Sequence, residues 1–187
     1  DLIKDKADPR ILLTEFEKSR VLAPMREGEM GIIALNDIIE SSIDLKAGHQ
    51  SIYHGKPIMI TRNDYGLGLF NGDIGICFFT NALEFKVVFH GSKGEFNTFP
   101  ITLLPTFEPC FVMSIHKSQG SEFENISVVL PPLQSKNNPL YTRELIYTAI
   151  TRAKHHVTIY AQQNDLLTCL SKDNKRSSGL IDRLAAE

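Results

Sequence analysis

The spacing of apolar residues along the chain changes period twice. Residues 1 to 19 mix charge with Ile11, Leu12 and Phe16 at helical spacing, and Val21-Leu22-Ala23-Pro24-Met25 reads as a short buried strand. Gly28 and Gly31 bracket a turn. After it, Ile32, Ile33, Leu35, Ile38 and Ile39 supply the apolar face of a helix predicted to run to about Asp44.

From Lys56 to about Phe107 the pattern becomes one of short β-branched and aromatic runs: Pro57 to Ile60, Ile74 to Phe79, Phe85 to Phe89 and Phe96 to Phe99. Glycine- and asparagine-bearing turns separate them. This predicts a small all-β barrel inserted into an α/β domain. After Pro109 helices and strands alternate again, with strands over Phe111 to Ile115, Ile126 to Leu130 and His156 to Tyr160 and helices over Arg143 to Arg152 and Asp165 to Leu170. That order predicts a parallel sheet flanked by helices, with working residues on the loops that leave the C-terminal ends of its strands. Lys136 to Pro139 reads as a loop, and Ser171 to Ser178 as a connection.

At 187 residues and 42% hydrophobic, the chain can bury one sizeable core and a small satellite. No run nears the roughly 18 apolar residues of a membrane span. A cytoplasmic protein is therefore expected. The chain opens on Asp1, which suggests an excerpt from a longer protein. Cys77, Cys110 and Cys169 lie far apart and form no CxxC pair, so they read as reduced thiols. With 20 basic and 22 acidic residues the formal net charge is −2. Any contact with nucleic acid must therefore be local.

Two segments carry chemistry. In SIHKSQGSEFENISVVLP, residues 114 to 131, a strand ends in a polar loop before the next strand begins. Ser114, His116 and Lys117 can offer hydroxyl, imidazole and ammonium donors to phosphate oxygens, and Gly120 allows close backbone approach. The alternative is a polar connection found in any α/β protein. In YTRELIYTAITRAKHHVTIYA, residues 141 to 161, a helix places Leu145, Tyr147, Ala149 and Ile150 near the core and ends at Arg152. A guanidinium there could stabilise charge on a transferring phosphoryl group, or simply complement the helix dipole.

Taken together and in this order, the two segments resemble motifs V and VI of superfamily 1 helicases. The T-x-H-K-S-Q-G form of motif V, with Ser114 in the threonine position, is similar to the branch that moves 5′ to 3′. VLAPMREGEMGIIALN (21 to 36) looks like motif IV, GKPIMITRNDYGLGLFNGDIGI (55 to 76) looks like the start of an SH3-like barrel, and RSSGLI (176 to 181) resembles the tail of exodeoxyribonuclease V alpha subunits. The resemblance, from about residue 20 onward, is to the C-terminal region of that family.

It implies a RecA-like parallel-sheet domain of the P-loop NTPase type, the second motor domain 2A, formed by 1–55 and 108–187, with the SH3-like β-barrel 2B at 56–107. It makes Arg152 the arginine finger and Arg26 a motif IV arginine facing the γ-phosphate from the same side. Gly120 and Glu122 would lie at the nucleotide edge, and Ser114, His116 and Lys117 would line the DNA groove. Arg62, Asn63, Asn71 and Gly72 would touch the strand near the barrel.

ATP and Mg2+ would be held mainly by an N-terminal RecA-like domain, since no G-x-x-x-x-G-K-[ST] occurs here. This stretch alone is not expected to hydrolyse ATP. Single-stranded DNA, that N-terminal domain and the beta and gamma subunits are the partners implied, and no membrane is. No metal site is expected: His155-His156 reads as a strand start, and His49 and His54 have no cysteine or carboxylate pattern beside them. Asn125-Ile126-Ser127 fits a glycosylation sequon by chance, and the phenylalanines of the β segment read mostly as core. The alternatives are the helicase region of a conjugative relaxase and a non-catalytic module that binds DNA or protein.

Overall fold

The computed structural model of the chain describes residues 7–43, 51–80, 84–91, 94–133 and 141–171. Within them the chain forms two sheets. The first is four-stranded and wholly parallel, built from β1 (Ser19–Ala23), β7 (Val112–Ser114), β8 (Phe123–Val129) and β9 (Ala153–Tyr160) in the order β7-β1-β8-β9. The second is antiparallel, built from β2 (Pro57–Ile60), β3 (Ile74–Phe79), β4 (Phe85–His90), β5 (Phe96–Pro100) and β6 (Phe107–Pro109) in the order β5-β4-β3-β2-β6. The alternation of period along the sequence thus separates two sheets of different polarity.

Strand β6 was not anticipated. It carries the antiparallel sheet two residues past the expected boundary at Phe107 and ends on a proline, tolerated because β6 lies at the sheet's edge.

Helices cover both faces of the parallel sheet. On one side α3 (Arg143–Ile150) and α4 (Gln163–Ser171) close a core that includes Leu22, Met113, Ile126, Val128, Leu145 and Ile146. On the other, α2 (Ile32–Ser42) packs Ile32, Leu35 and Ile39 on Ala23 and Val112. Leu22 and its neighbour Ala23 face opposite layers, as strand alternation requires. Helix α1 (Pro9–Lys18) opens with Asp8 accepting the Arg10 amide at 2.9 Å and with proline in its first turn. It buries Leu12 and Leu13 against Ile76 and Val88 of the antiparallel sheet. The Glu17 carboxylate meets His90 at 2.8 Å, a second tie between α1 and that sheet.

Three apolar faces differ in detail from expectation. Ile11 is exposed and Leu13 takes its place in the core; Ile33 and Ile38 are exposed while Asn36 is buried; Tyr147 and Ile150 are exposed while Ile146 and Tyr141 are buried. Leu12, Ile32, Leu35, Ile39, Leu145 and Ala149 pack inward as expected, so each helix keeps part of its expected stripe and exchanges one or two positions at its margin. Phe89 is barely exposed and belongs to the core of the antiparallel sheet, whereas Phe79 and Phe96 are largely exposed. The three cysteines are buried and none is in a disulfide; Cys169 Sγ lies 3.3 Å from the Thr142 carbonyl, and burial pushes Cys77 up to about 12 and Cys110 up to about 11. Cys77 and Cys110 are thiols rather than thiolates at neutral pH. No helix among the described residues is long and apolar enough to cross a membrane. His49, Lys136 to Pro139 and the RSSGLI segment lie outside the described residues.

Candidate functional site

Two loops meet where β1 and β7 end. The segment after β1 folds back so that the carbonyls of Met25 and Arg26 accept the Ile32 and Ile33 amides at 3.0 and 3.2 Å. These are donors at the start of α2 that have no partner within the helix, and satisfying them fixes Arg26 above the C-terminal edge of the sheet. Gly31 is required in this turn, because a Cβ there would collide with the Glu27 carbonyl. Asn36, buried in α2, holds the neighbouring strand. Its Oδ1 accepts the amides of Phe111 and Val112 at 2.8 and 3.1 Å, and its Nδ2 donates to the Val112 carbonyl at 3.1 Å. The free edge of β7 is therefore satisfied by a side chain instead of another strand.

From β7 the chain turns sharply. Ser114 Oγ accepts the Lys117 amide at 3.1 Å, and the fully buried Ser118 donates its hydroxyl to the Ile115 carbonyl at 2.7 Å. His116 is left exposed, and Lys117 reaches toward β6. There Glu108 receives two cations, one on each oxygen: Lys117 Nζ lies 3.2 Å from Oε1 and Arg26 Nη2 lies 2.8 Å from Oε2. Burial alone would raise the Glu108 carboxyl, but the hydrogen bond from Arg26 and the charge of Lys117 outweigh it. They hold the group below the ordinary carboxylate range, and the same contact raises Arg26.

A second group forms at the other end of the same loop. Residues 115–122 cross from the C-terminal end of β7 to the N-terminal start of β8, passing β1, which lies between those strands. Gly120 is exposed with φ +86°, and a side chain there would meet nothing within 4 Å, so the backbone conformation is what favours glycine. The next residue, Ser121, accepts Arg152 Nη1 on its carbonyl at 3.3 Å, and Glu122 lies 3.4 Å from Lys154. Arg152 Nε also donates to the Thr148 carbonyl at 3.2 Å, and the Arg152 carbonyl accepts the Phe123 amide at 2.8 Å. The guanidinium thus caps the C-terminal end of α3, as the helix-dipole reading expects, and is tied to the 120–122 turn as well.

Arg26 and Arg152 are not brought together. All four strands run parallel, Arg26 follows the end of β1, and Arg152 precedes the start of β9, where Ala153 pairs with Phe123. The length of the sheet separates them, about 20 Å for some six residues at about 3.3 Å each. The expectation that both face one phosphate from the same side is corrected: Arg26 belongs with Lys117. For the same reason Gly120, Glu122 and Arg152 lie at the N-terminal edge of the sheet, while Ser114, His116 and Lys117 lie at the C-terminal edge where all were expected.

Arg62, Asn63 and Asn71 stand on the loop between β2 and β3. Asn63 Oδ1 accepts the Asn71 amide at 2.8 Å, and Asp64 Oδ1 accepts the amides of Gly66 and Leu67, each at 3.0 Å. This bracing leaves Arg62 and Asn71 exposed and holds Tyr65, 81% exposed, edge-on to Phe70 with ring centroids 6.0 Å apart. The loop begins beside the Lys117–Glu108 contact, because Met59 lies opposite Glu108 in the β2–β6 ladder.

Glu108, Asn36 and the Tyr65–Phe70 pair were missed in the sequence. Asn36 had a signal, since it falls on the apolar stripe between Ile32 and Ile39. Glu108 had none, because its two cations are distant in sequence. Among the described residues no cluster of three or more His, Cys, Asp or Glu could hold a metal ion. His54 contacts the Ala7 carbonyl at 3.2 Å, and Asn125 on β8 donates its Nδ2 to Ser19 Oγ on β1 at 3.2 Å.

The description "UvrD-like helicase C-terminal domain" matches residues 109–160, which contain both ends of the crossover loop and Arg152. Relatives along nearly the whole chain include the RecBCD enzyme subunit RecD of Haemophilus influenzae, 37% identical over 96% of this chain and 29% of its own length. The RecBCD enzyme subunit RecD of Mycolicibacterium smegmatis is 35% identical over 95% of this chain and 31% of its own length. The ATP-dependent RecD2 DNA helicase of Deinococcus radiodurans is 27% identical over 89% of this chain and 23% of its own length. The chain therefore spans less than a third of the length of these relatives. Among solved structures, a Bacteroides Pif1 helicase in complex with ADP-AlF3 and ssDNA is similar in fold, with TM-score 0.55 and 14% identity over 99% of this chain and 52% of that one.

Proposed function

The chain belongs to the RecD family of helicases, and from that premise we propose that it is the C-terminal motor half of an ATP-dependent 5′ to 3′ DNA helicase, the alpha subunit of exodeoxyribonuclease V, acting at DNA ends in recombinational repair. The observation that carries the reading is the crossover loop 115–122, one end of which stands with Arg26 and Lys117 and the other with Arg152. A strand gripped at the first end and a nucleotide facing the second share one short, internally hydrogen-bonded segment.

In this reading the parallel sheet is the RecA-like domain 2A, expected over 1–55 and 108–187, and the antiparallel sheet is the SH3-like insert 2B, expected over 56–107; β6 moves that second boundary to Pro109, so that 2A resumes at residue 110. Ser114, His116 and Lys117 contact phosphate and sugar of the single strand, and Arg62, Asn63 and Asn71 extend that path along the insert. The contacts carry little sequence preference and strong salt sensitivity. Gly120 and Glu122 border the nucleotide. Arg152 reaches across the cleft to the phosphates and stabilises charge on the transferring phosphoryl group.

ATP and Mg2+ are held by the preceding RecA-like domain. Of the carboxylates beside these cations, Glu108 and Glu122 are each within 3.4 Å of a lysine and Glu27 neighbours Arg26, and no three of the described His, Cys, Asp or Glu residues converge, so these residues do not fit a magnesium site. The beta and gamma subunits of a cytoplasmic complex are the remaining partners. The relatives are RecD subunits and helicases, which leaves the relaxase and binding-module readings unfavoured.

The test is ATP hydrolysis stimulated by single-stranded DNA in the complete parent protein, wild type beside Arg152→Ala. Turnover is expected to fall roughly 10³-fold while DNA affinity holds, as for other arginine fingers. Unchanged turnover would remove Arg152 from the mechanism.

A further inference from the structure

Arg26, Lys117 and Glu108 come from three separate segments: the loop after β1, the loop after β7 and the last strand of the antiparallel sheet. Two cations converge on one carboxylate, each taking a different oxygen, so their donors are spaced as a fork that fits a small two-oxygen anion. Arg26 is 59% exposed and Lys117 is 35% exposed, whereas Glu108 is 20% exposed, so the cations face outward and the carboxylate sits behind them. A phosphodiester presents the same pair of charged oxygens. The Met25 and Arg26 carbonyl contacts to α2 and the Ser114 contact to the Lys117 amide fix both cation-bearing turns.

We propose that Arg26 and Lys117 form one phosphate-binding fork for the single strand, and that Glu108 fills it as an internal counter-anion which a backbone phosphate must displace. This rests on the proposed strand-binding role of Lys117 and moves Arg26 from the nucleotide to the strand. Glu108 then keeps the two cations aligned in the absence of DNA and lowers the affinity of the fork. That suits a grip that must release at every step, since displacement costs the two contacts that Glu108 makes.

The experiment is binding of an oligothymidine by the complete parent protein, measured across a salt series, together with the DNA dependence of ATP turnover. Glu108→Gln keeps the shape and removes the charge, and it should tighten binding roughly 3-fold, the scale of an exposed ion pair. Arg26→Ala should weaken binding and make the salt slope shallower by about 0.7, the contribution of one phosphate contact to a single strand. Its loss should fall on the half-saturating DNA concentration more than on maximal turnover. In the double variant the gain from Glu108→Gln should shrink, because one of the freed cations is gone.

Unchanged or weaker binding by Glu108→Gln would overturn the counter-anion role, and an Arg26→Ala loss confined to maximal turnover would overturn the fork. Arg26→Ala alters an exposed side chain, so it carries the test alone if the Gln variant does not fold. Lys117→Ala separates the two levels. If it leaves affinity and slope unchanged, the strand-binding reading itself fails; if it weakens binding while Glu108→Gln tightens nothing, only the counter-anion role fails.

Discussion

Asn36→Ala should unlatch the strand that carries Ser114 and Lys117. The side chain holds three backbone groups of residues 111 and 112 at 2.8 to 3.1 Å, and Val112 is 1% exposed, so water cannot replace the lost partners without opening the strand. The fourth contact, Nδ2 to the Ile32 carbonyl at 2.9 Å, adds little, because that carbonyl already accepts a helical amide. Leaving two buried groups of Val112 unsatisfied costs about 1 to 3 kcal/mol each. The better helix propensity of alanine returns about 0.6 kcal/mol. A net loss of about 3 kcal/mol corresponds to roughly 10²-fold faster exchange at the affected amides, at about 1.4 kcal/mol per decade. Hydrogen exchange of the segment around Phe111 and Val112 in the complete protein reads this directly, and it avoids a melting temperature shared with other domains. Protection of these amides within twofold of wild type would refute the latch.

Other outcomes follow from the same geometry. Lys117→Glu should weaken single-strand binding and flatten its salt dependence, as measured by titration across ionic strength; an unaltered slope would count against a phosphate contact there. Leu13→Ala removes a fully buried side chain from the contact of α1 with β3 and β4, and should destabilise this half by about 2 to 5 kcal/mol in denaturant unfolding. A loss below about 1 kcal/mol would mean that α1 rests only loosely on the antiparallel sheet. Glu108 lies below its ordinary value in the folded chain, so its ion pairs contribute stability that is complete above the unfolded value of about 4.3 and is lost as pH falls through the folded one. Wild type should therefore exceed Glu108→Gln in stability at neutral pH and converge with it in acid. A difference that stays constant through the acid range would show that the two cations do not perturb this carboxylate.

Much of the architecture was written in local pattern. The four predicted strands of the insert stand where the β-branched and aromatic runs placed them, because short runs of residues that favour extended backbone, bounded by glycine and asparagine turns, leave little room for a helix. The parallel sheet followed from alternation of strands and helices. The loop of Ser114 to Gly120 and the arginine before β9 were legible as motifs, since each is contiguous. What the sequence left open depends on strand order and polarity. The residue order shows that Arg26 follows a strand and Arg152 precedes one; only the parallel register puts them at opposite edges of the sheet, and only the crossover past β1 joins both edges through one loop. Glu108 gains its role in the same way. It lies 82 residues from Arg26 and in another sheet, so the ion pair exists only once β6 has been placed against the ends of β1 and β7.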